Sequence, residues 1–200
     1  MFQIRIHGRG GQGVVTSAEL LSVAAFDEGR HAQAFPSFGS ERMGAPVMAF
    51  CRIDDKPIRL REPVMEPDAL IIQDSTLLHQ VDVFAGFKRD GYILINTSKS
   101  FAALGLAEFV KDCRQERLCA VPATDLSIKH LGRSMPNVPL LGGFAAVSGV
   151  IKLESVVKAI NDRFSGKVAE ANIAAATEAY QIVKAGMAEA VHGGEHAQAN

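Results

Sequence analysis

The chain has 200 residues, with 21 Lys and Arg against 22 Asp and Glu, so its formal net charge is −1. Hydrophobic residues make up 48% and charged residues 22%, which suits one packed domain and excludes a disordered chain. The even charge balance lacks the basic footprint of a nucleic-acid binder. The longest weakly polar stretch, Leu140 to Leu153, is broken by Gly142, Gly143, Ser148 and Lys152. It falls short of the ~20 apolar residues that cross a bilayer. The first residues carry no apolar h-region of a secretion signal. These features predict a cytoplasmic domain over residues 1–200, with no membrane and no nucleic-acid partner.

Phe2, Ile4 and Ile6 alternate with Gln3, Arg5 and His7, the pattern of a strand. Gly8-Arg9-Gly10-Gly11-Gln12-Gly13 follows, and then Val14, Ala18, Leu21 and Ala25 recur at helical spacing. From His31 to Pro46 aromatics mix with Gly and Pro, which predicts an ordered loop. Val47–Ile53 and Ile58–Leu60 flank Asp54-Asp55-Lys56-Pro57 as a hairpin. Ala69 to Gln73, Tyr92 to Ile95 and Leu118 to Val121 read as buried strands. Short helices are expected at Leu77–Phe87 and Leu104–Cys113. The remainder reads as helices at Leu140–Val150, Glu154–Phe164 and Val168 to about Val191, with a frayed tail after His192-Gly193-Gly194. Strands alternating with helices predict an α/β domain of three layers, α/β/α, around a mostly parallel but mixed sheet.

Gly8, Gly10 and Gly13 form G-x-G-x-x-G between a strand and a helix, the setting in which bare backbone N–H groups cradle a phosphate. The same glycines also suit a tight strand-to-helix turn by packing alone, and both readings stand. Arg9 adds a cation to the turn. A dinucleotide fold needs an acid about 20 residues on to hold a ribose. Here that stretch is His31-Ala32-Gln33-Ala34-Phe35-Pro36, without one. Asp74-Ser75-Thr76 and Asn96-Thr97-Ser98 end strands, where they either cap the next segment or meet a ligand. His7 abuts the turn and reads either as a ligand contact or as a satisfied core group. Cys51, Cys113 and Cys119 form no C-x-x-C pair, so neither a four-thiolate zinc site nor an iron–sulfur site can be built from this chain alone. The scattered histidines lack metal-ligand spacing, and no nucleophile motif is present.

Two segments together carry a resemblance. Gly8-Arg9-Gly10-Gly11-Gln12-Gly13-Val14-Val15-Thr16 and Phe35-Pro36-Ser37-Phe38-Gly39-Ser40-Glu41-Arg42-Met43-Gly44-Ala45-Pro46-Val47 resemble the gamma subunit of the pyruvate and 2-oxoacid:ferredoxin oxidoreductases, and Asp54-Asp55-Lys56-Pro57-Ile58 and Pro67-Asp68 continue the likeness. Met43 stands where the more familiar form has a second arginine. The resemblance implies a subunit with no catalytic residue and no resident cofactor of its own. Its enzyme would convert a 2-oxoacid and coenzyme A to acyl-coenzyme A and CO2. Thiamine diphosphate with Mg would sit in partner alpha and beta subunits, and 4Fe–4S clusters in partners that include a ferredoxin-like subunit. Electrons would pass to ferredoxin or, through a flavin subunit, to NAD. It further implies that Gly8, Arg9, Gly10, Gly11, Gln12 and Gly13 face the phosphates of coenzyme A. Phe35, Phe38, Glu41 and Arg42 would form a subunit interface, a role compatible with Phe35 and Phe38 plugging the domain edge. The alternatives from other classes are a free-standing Rossmann-like nucleotide-binding domain or dehydrogenase, and a structural adaptor.

Overall fold

The computed structural model describes residues 1–37 and 43–197, with the side chains of the last helix as far as 188. Six strands form one mixed sheet: β1 (Phe2–Arg9), β2 (His31–Pro36), β3 (Pro46–Asp54), β4 (Ala69–Ile72), β5 (Tyr92–Asn96) and β6 (Leu118–Val121). Their spatial order is β2-β3-β1-β4-β5-β6. The ladders from β1 through β4 and β5 to β6 are parallel, and β3 runs antiparallel to both β1 and β2. The α/β class and the mixed sheet are as expected.

One face of the sheet carries a full helical layer. Helix α1 (Val14–Asp27) buries Val14, Ala18, Leu21 and Ala25, the residues whose spacing marks it as a helix. The weakly polar run becomes the core of α4 (Asn137–Ser148), which is buried from Asn137 through Val147. A helix apolar all round has no solvent face, and α4 accordingly lies between the sheet and other helices. It packs on α6 (Gly166–Ala197), while α5 (Leu153–Arg163) leans on α1. Together these helices and the strand residues Ile4, Ile6, Ala49, Cys51 and Ile53 form the main core.

The other face is covered differently. The expected helix at Leu77–Phe87 shrinks to a 3-10 turn at Ser75–His79, and the one near Leu104–Cys113 to a four-residue helix, α2 (Ala107–Val110). For the first, the cause lies under it. Arg5, buried on β1, donates to the carbonyls of Val64, Val83 and Ala85 at 3.3, 3.0 and 2.6 Å. Carbonyls so engaged belong to an irregular chain that lies on the sheet. Beneath it, Ile72, Leu77, Val83, Ile93 and Ile95 make a second, smaller core.

Four further expectations are corrected. Residues His31–Pro36 form a strand paired to β3 from His31–Asp54 to Pro36–Ala49. Ala32 and Ala34, poor in strand propensity, are the side chains that fit under α1. Ile58–Leu60 is not a strand, because β2 already occupies the free edge of β3; only the turn at Asp54 survives, with Lys56 N donating to Asp54 Oδ1. Finally, α3 (Ala123–Leu131) is a helix where none is expected, and α6 stays helical through Gly193 and Gly194 to Ala197.

Candidate functional site

The crossover from β1 runs through α1 on one face of the sheet, whereas the connections out of β4 and β5 cross the other face. The strands therefore diverge between β1 and β4, and in open α/β sheets the crevice beyond the carboxyl ends at such a point is where ligands bind. All six residues of the glycine-rich turn lie at this crevice, closing the end of β1. Asp74, Asn96 and Thr97 end the neighbouring strands there, at β4 and β5.

Gly13 sits at the N-cap of α1 with φ 71°, and a Cβ there would come within 2.5 Å of Asn137 Nδ2. Both the left-handed backbone and the close approach of α4 require glycine. Gly10 N donates to Ala45 O at 2.9 Å and Gly44 N to Gly10 O at 3.1 Å, so the chain after the undescribed segment is stitched to the turn. The amides of Gly11, Gly13, Val14, Val15 and Thr16 have no hydrogen-bond partner among the described residues. They border a cavity of about 300 Å³ walled by Gly10, Gly11, Gly13, Val15, Val47 and Met135. Unpaired amides at the positive end of a helix dipole favour an anion by roughly 0.3–2 kcal/mol.

Arg9 takes a more constrained place than a free cation would. Its Nε donates to Asp74 Oδ2 at 3.0 Å, one terminal nitrogen to Gly44 O, and the other to Thr76 Oγ1 and Gln80 Oε1. Gln12 folds back within the turn, accepting from Arg9 N and donating to Asp74 Oδ2. Burial alone would raise the Asp74 carboxyl, but hydrogen bonds from Thr76 and Gln12 and the charge of Arg9 hold it below the usual range. Asp74 also accepts from Thr76 N as the cap of its 3-10 turn, so the capping reading holds.

Behind the turn, His7 is buried and its Nε2 accepts from Arg5 Nε at 3.1 Å. Burial first, and the Arg5 charge second, push its pKa down to about 3, so it is a neutral core group. Asn96 ties three elements together: its Nδ2 donates to Gln73 O and Thr124 Oγ1, and its Oδ1 accepts from Thr124 N. Beside it opens a polar cleft of about 360 Å³ that includes Gln12, Gln73, Ser98, Lys99 and Asp125. Gln73, Thr124 and Asp125 are crevice residues that the sequence reading missed. Pro122 and Gly132, which bracket α3, signal that helix, but no local signal places its residues or Gln73 at the crevice.

Phe35, on β2, is half-buried against Phe50 with ring centroids 5.1 Å apart, and the Arg52 guanidinium lies over it at 5.2 Å. It thus closes the domain edge. Phe38, Glu41 and Arg42 lie outside the described residues. Cys51, Cys113 and Cys119 are unpaired and buried, and burial pushes the Cys51 and Cys119 thiols up to about 12. Among the described residues no His, Cys, Asp and Glu converge as metal ligands, and no helix is long and apolar enough to cross a membrane.

Residues 3–182 match the model of the pyruvate ferredoxin/flavodoxin oxidoreductase family. The chain belongs to that family. It is 49% identical to pyruvate synthase subunit PorC of Methanocaldococcus jannaschii over 90% of this chain and 96% of that one. It is 48% identical to the pyruvate/ketoisovalerate oxidoreductases common subunit gamma of Pyrococcus abyssi, with the same coverage. Among solved structures, the pyruvate oxidoreductase subunit PORC of Thermotoga maritima superposes with a TM-score of 0.74 at 37% identity, over 90% of this chain and 95% of that one. The 2-oxoglutarate:ferredoxin oxidoreductase of Magnetococcus marinus shares the fold alone, at 17% identity and TM-score 0.66, over 92% of this chain and 31% of that longer one. The chain is thus a gamma-type subunit of a 2-oxoacid oxidoreductase, and the free-standing dehydrogenase reading is set aside. The missing ribose acid has a topological reason: β3 separates β2 from β1, so β2 is not the strand beside the glycine turn.

Proposed function

We propose that this subunit walls the coenzyme-A approach of a multisubunit, thiamine diphosphate-dependent oxidoreductase that turns a 2-oxoacid and coenzyme A into acyl-coenzyme A and CO2. The observation that carries the reading is the row of unpaired amides from Gly11 to Thr16 at the mouth of the turn cavity. Such donors fit a diphosphate that must bind and leave, because they offer partial charges rather than a fixed ion pair. Arg9 and Asp74 hold the turn in shape, so Arg9 is a positioning group with one N–H left to share among the described residues. The Magnetococcus structure that shares this fold was solved with coenzyme A and succinyl-CoA bound. When bound in the partner alpha and beta subunits, thiamine diphosphate with Mg would supply the decarboxylation chemistry, and 4Fe–4S clusters in partners including a ferredoxin-like subunit would carry electrons away.

The relative from Pyrococcus is named as common to pyruvate and ketoisovalerate enzymes. That supports a gamma subunit indifferent to the 2-oxoacid side chain. Met43, 87% exposed beside Gly11, extends the surface offered to partners, and Phe35 with Phe38, Glu41 and Arg42 belongs to the same proposed interface. A cytoplasmic complex delivering electrons to ferredoxin, or to NAD through a flavin subunit, completes the reading.

Amide hydrogen exchange on the assembled complex tests it. Saturating coenzyme A should slow exchange at residues 11–16, and the 2-oxoacid alone should not. Arg9→Ala should raise the KM for coenzyme A by about tenfold, equivalent to about 1.4 kcal/mol, and leave that for the 2-oxoacid unchanged. Exchange at 11–16 that ignores coenzyme A would overturn the assignment.

A further inference from the structure

β2 is the outer strand of the sheet, paired to β3 alone. Ser37 N donates to Met48 O at 2.9 Å, and the register carries that alternation back through Phe35–Phe50 to Gln33–Arg52. Gln33 and Phe35 therefore turn their backbone groups toward β3. Ala32 and Ala34 turn theirs outward, where the amides and carbonyls have no partner among the described residues. Natural sheet edges are blunted by charge, yet His31-Ala32-Gln33-Ala34-Phe35-Pro36 holds no Lys, Arg, Asp or Glu.

Two buried side-chain atoms beside this edge are orphaned as well. Gln33 Oε1 has no donor, and Arg52 Nη1, across the ladder from it, has no acceptor. Buried polar groups without partners are costly, so the two together point to a group that arrives from outside. A carboxamide is the complement of one open acceptor and one open donor. Gln33 Nε2 is itself uncommitted among the described residues, so a second Gln33 supplies that carboxamide.

We propose that two copies of this subunit pair antiparallel through β2, with the twofold axis at Gln33, so that their sheets run on as one. In this register Ala32 of each copy exchanges both N–H···O bonds with Ala34 of the other. An axis at Ala34 would set Ala32 opposite Pro36, which has no N–H. An axis at Ala32 would set Ala34 opposite Arg30, whose N–H is already given to Ala25 O at 3.1 Å. Above the edge, the buried stripe of α1 meets β2 and β3, and Asp27 takes Lys158 of α5. Phe26, 73% exposed, leaves α1 on the other flank, where α1 of the second copy covers it. Because β3 is antiparallel to both β1 and β2, β2 runs with β1. The two glycine turns therefore lie at opposite ends of the joined sheet, and each stays open to its own partners.

Sedimentation equilibrium of the full-length chain, with oxidative cross-linking, tests the pairing. The chain should form a dimer that dissociates on dilution. Gln33→Leu should weaken the dimer about tenfold, the worth of the hydrogen bonds lost across the axis, without destabilising the monomer, because the orphaned oxygen goes with it. Gln33→Cys should give a disulfide-linked dimer on oxidation by diamide. Facing Cα atoms of a non-hydrogen-bonded antiparallel pair lie about 4.5 Å apart, within disulfide reach. His31→Cys should not cross-link, since position 31 falls opposite position 35 across that axis, and the native thiols Cys51, Cys113 and Cys119 are buried. A chain that is monomeric at every concentration, or equal cross-linking of the two cysteine variants, overturns the proposal. Exchange protection of amides 32 and 34 that arises only in the assembled complex, with the chain alone monomeric, overturns it too and gives the edge to a strand of another subunit.

Discussion

The two faces of the sheet are held by different physics. On one, α1, α4, α5 and α6 pair their backbone internally beyond the first turn and build the main core chiefly from apolar side chains. On the other, loops around residues 62–64 and 83–85 bring carbonyls to the sheet that no helix has paired, and two arginines meet them. Arg5 reaches Val64, Val83 and Ala85, and Arg52 reaches Glu62 and Pro63 at 2.6 and 3.4 Å, with Gln3 Oε1 at 3.0 Å from its Nε. Guanidinium suits the task because it presents five N–H donors on one rigid fork. The lesson is that a layer of irregular chain is affordable on a sheet only where the sheet itself supplies donors.

The largest expected effect follows from that contrast. Arg5→Met keeps length and apolar stem but strands three carbonyls, and should lower the unfolding free energy by roughly 3–5 kcal/mol. Leu21→Met, at the centre of the helical face, is a near volume-conserving swap and should cost less than about 1.5 kcal/mol. Urea unfolding of the two variants measures the difference. Equal losses would show that the faces are not distinguished as described.

A middle-sized effect sharpens the comparison from the helical side, which has its own intolerant point. Gly142 on α4 lies so near α6 that a Cβ would come within 2.0 Å of Ala176 O. That neighbour is backbone, so the helices themselves must part. Gly142→Ala should therefore destabilise by about 1–3 kcal/mol despite alanine's better helix propensity. A stabilised variant in thermal unfolding would mean that α4 and α6 separate freely.

How much of this was legible in the sequence divides along the same line. The helical face announced itself: Val14, Ala18, Leu21 and Ala25 gave α1, because a helix that buries a stripe writes it at a fixed period, and the apolar run from Leu140 gave most of α4 by its length. The loop-covered face did not. Leu77 to Phe87 has the apolar content of a helix, and nothing local reveals that Arg5, some 80 residues earlier, will claim the carbonyls of Val83 and Ala85. The same holds at the site. The glycine turn was readable because its geometry is local, whereas Gln73, Thr124 and Asp125 enter only when three strands end side by side. The fate of Arg9 was equally hidden, since Asp74, Thr76 and Gln80 are brought to it by the β1–β4 pairing.

The smallest effect near neutral pH tests the join between the loop-covered face and the turn. His7 is neutral in the fold, with its pKa at about 3, against about 6.5 in an unfolded chain. Below pH 6.5 the unfolded state binds a proton that the folded state refuses, so stability is full above 6.5 and declines as the pH falls toward 3. The decline approaches about 1.4 kcal/mol per pH unit. His7→Gln keeps an acceptor for Arg5 Nε and removes the titration. Between pH 7.5 and 5.5 the wild-type chain should therefore lose about 1.4 kcal/mol more than the variant, because every other titrating group is common to both and cancels. Parallel stability profiles over that range would show that water reaches His7 in the folded chain, and that the loops pinned by Arg5 do not seal the base of the glycine turn.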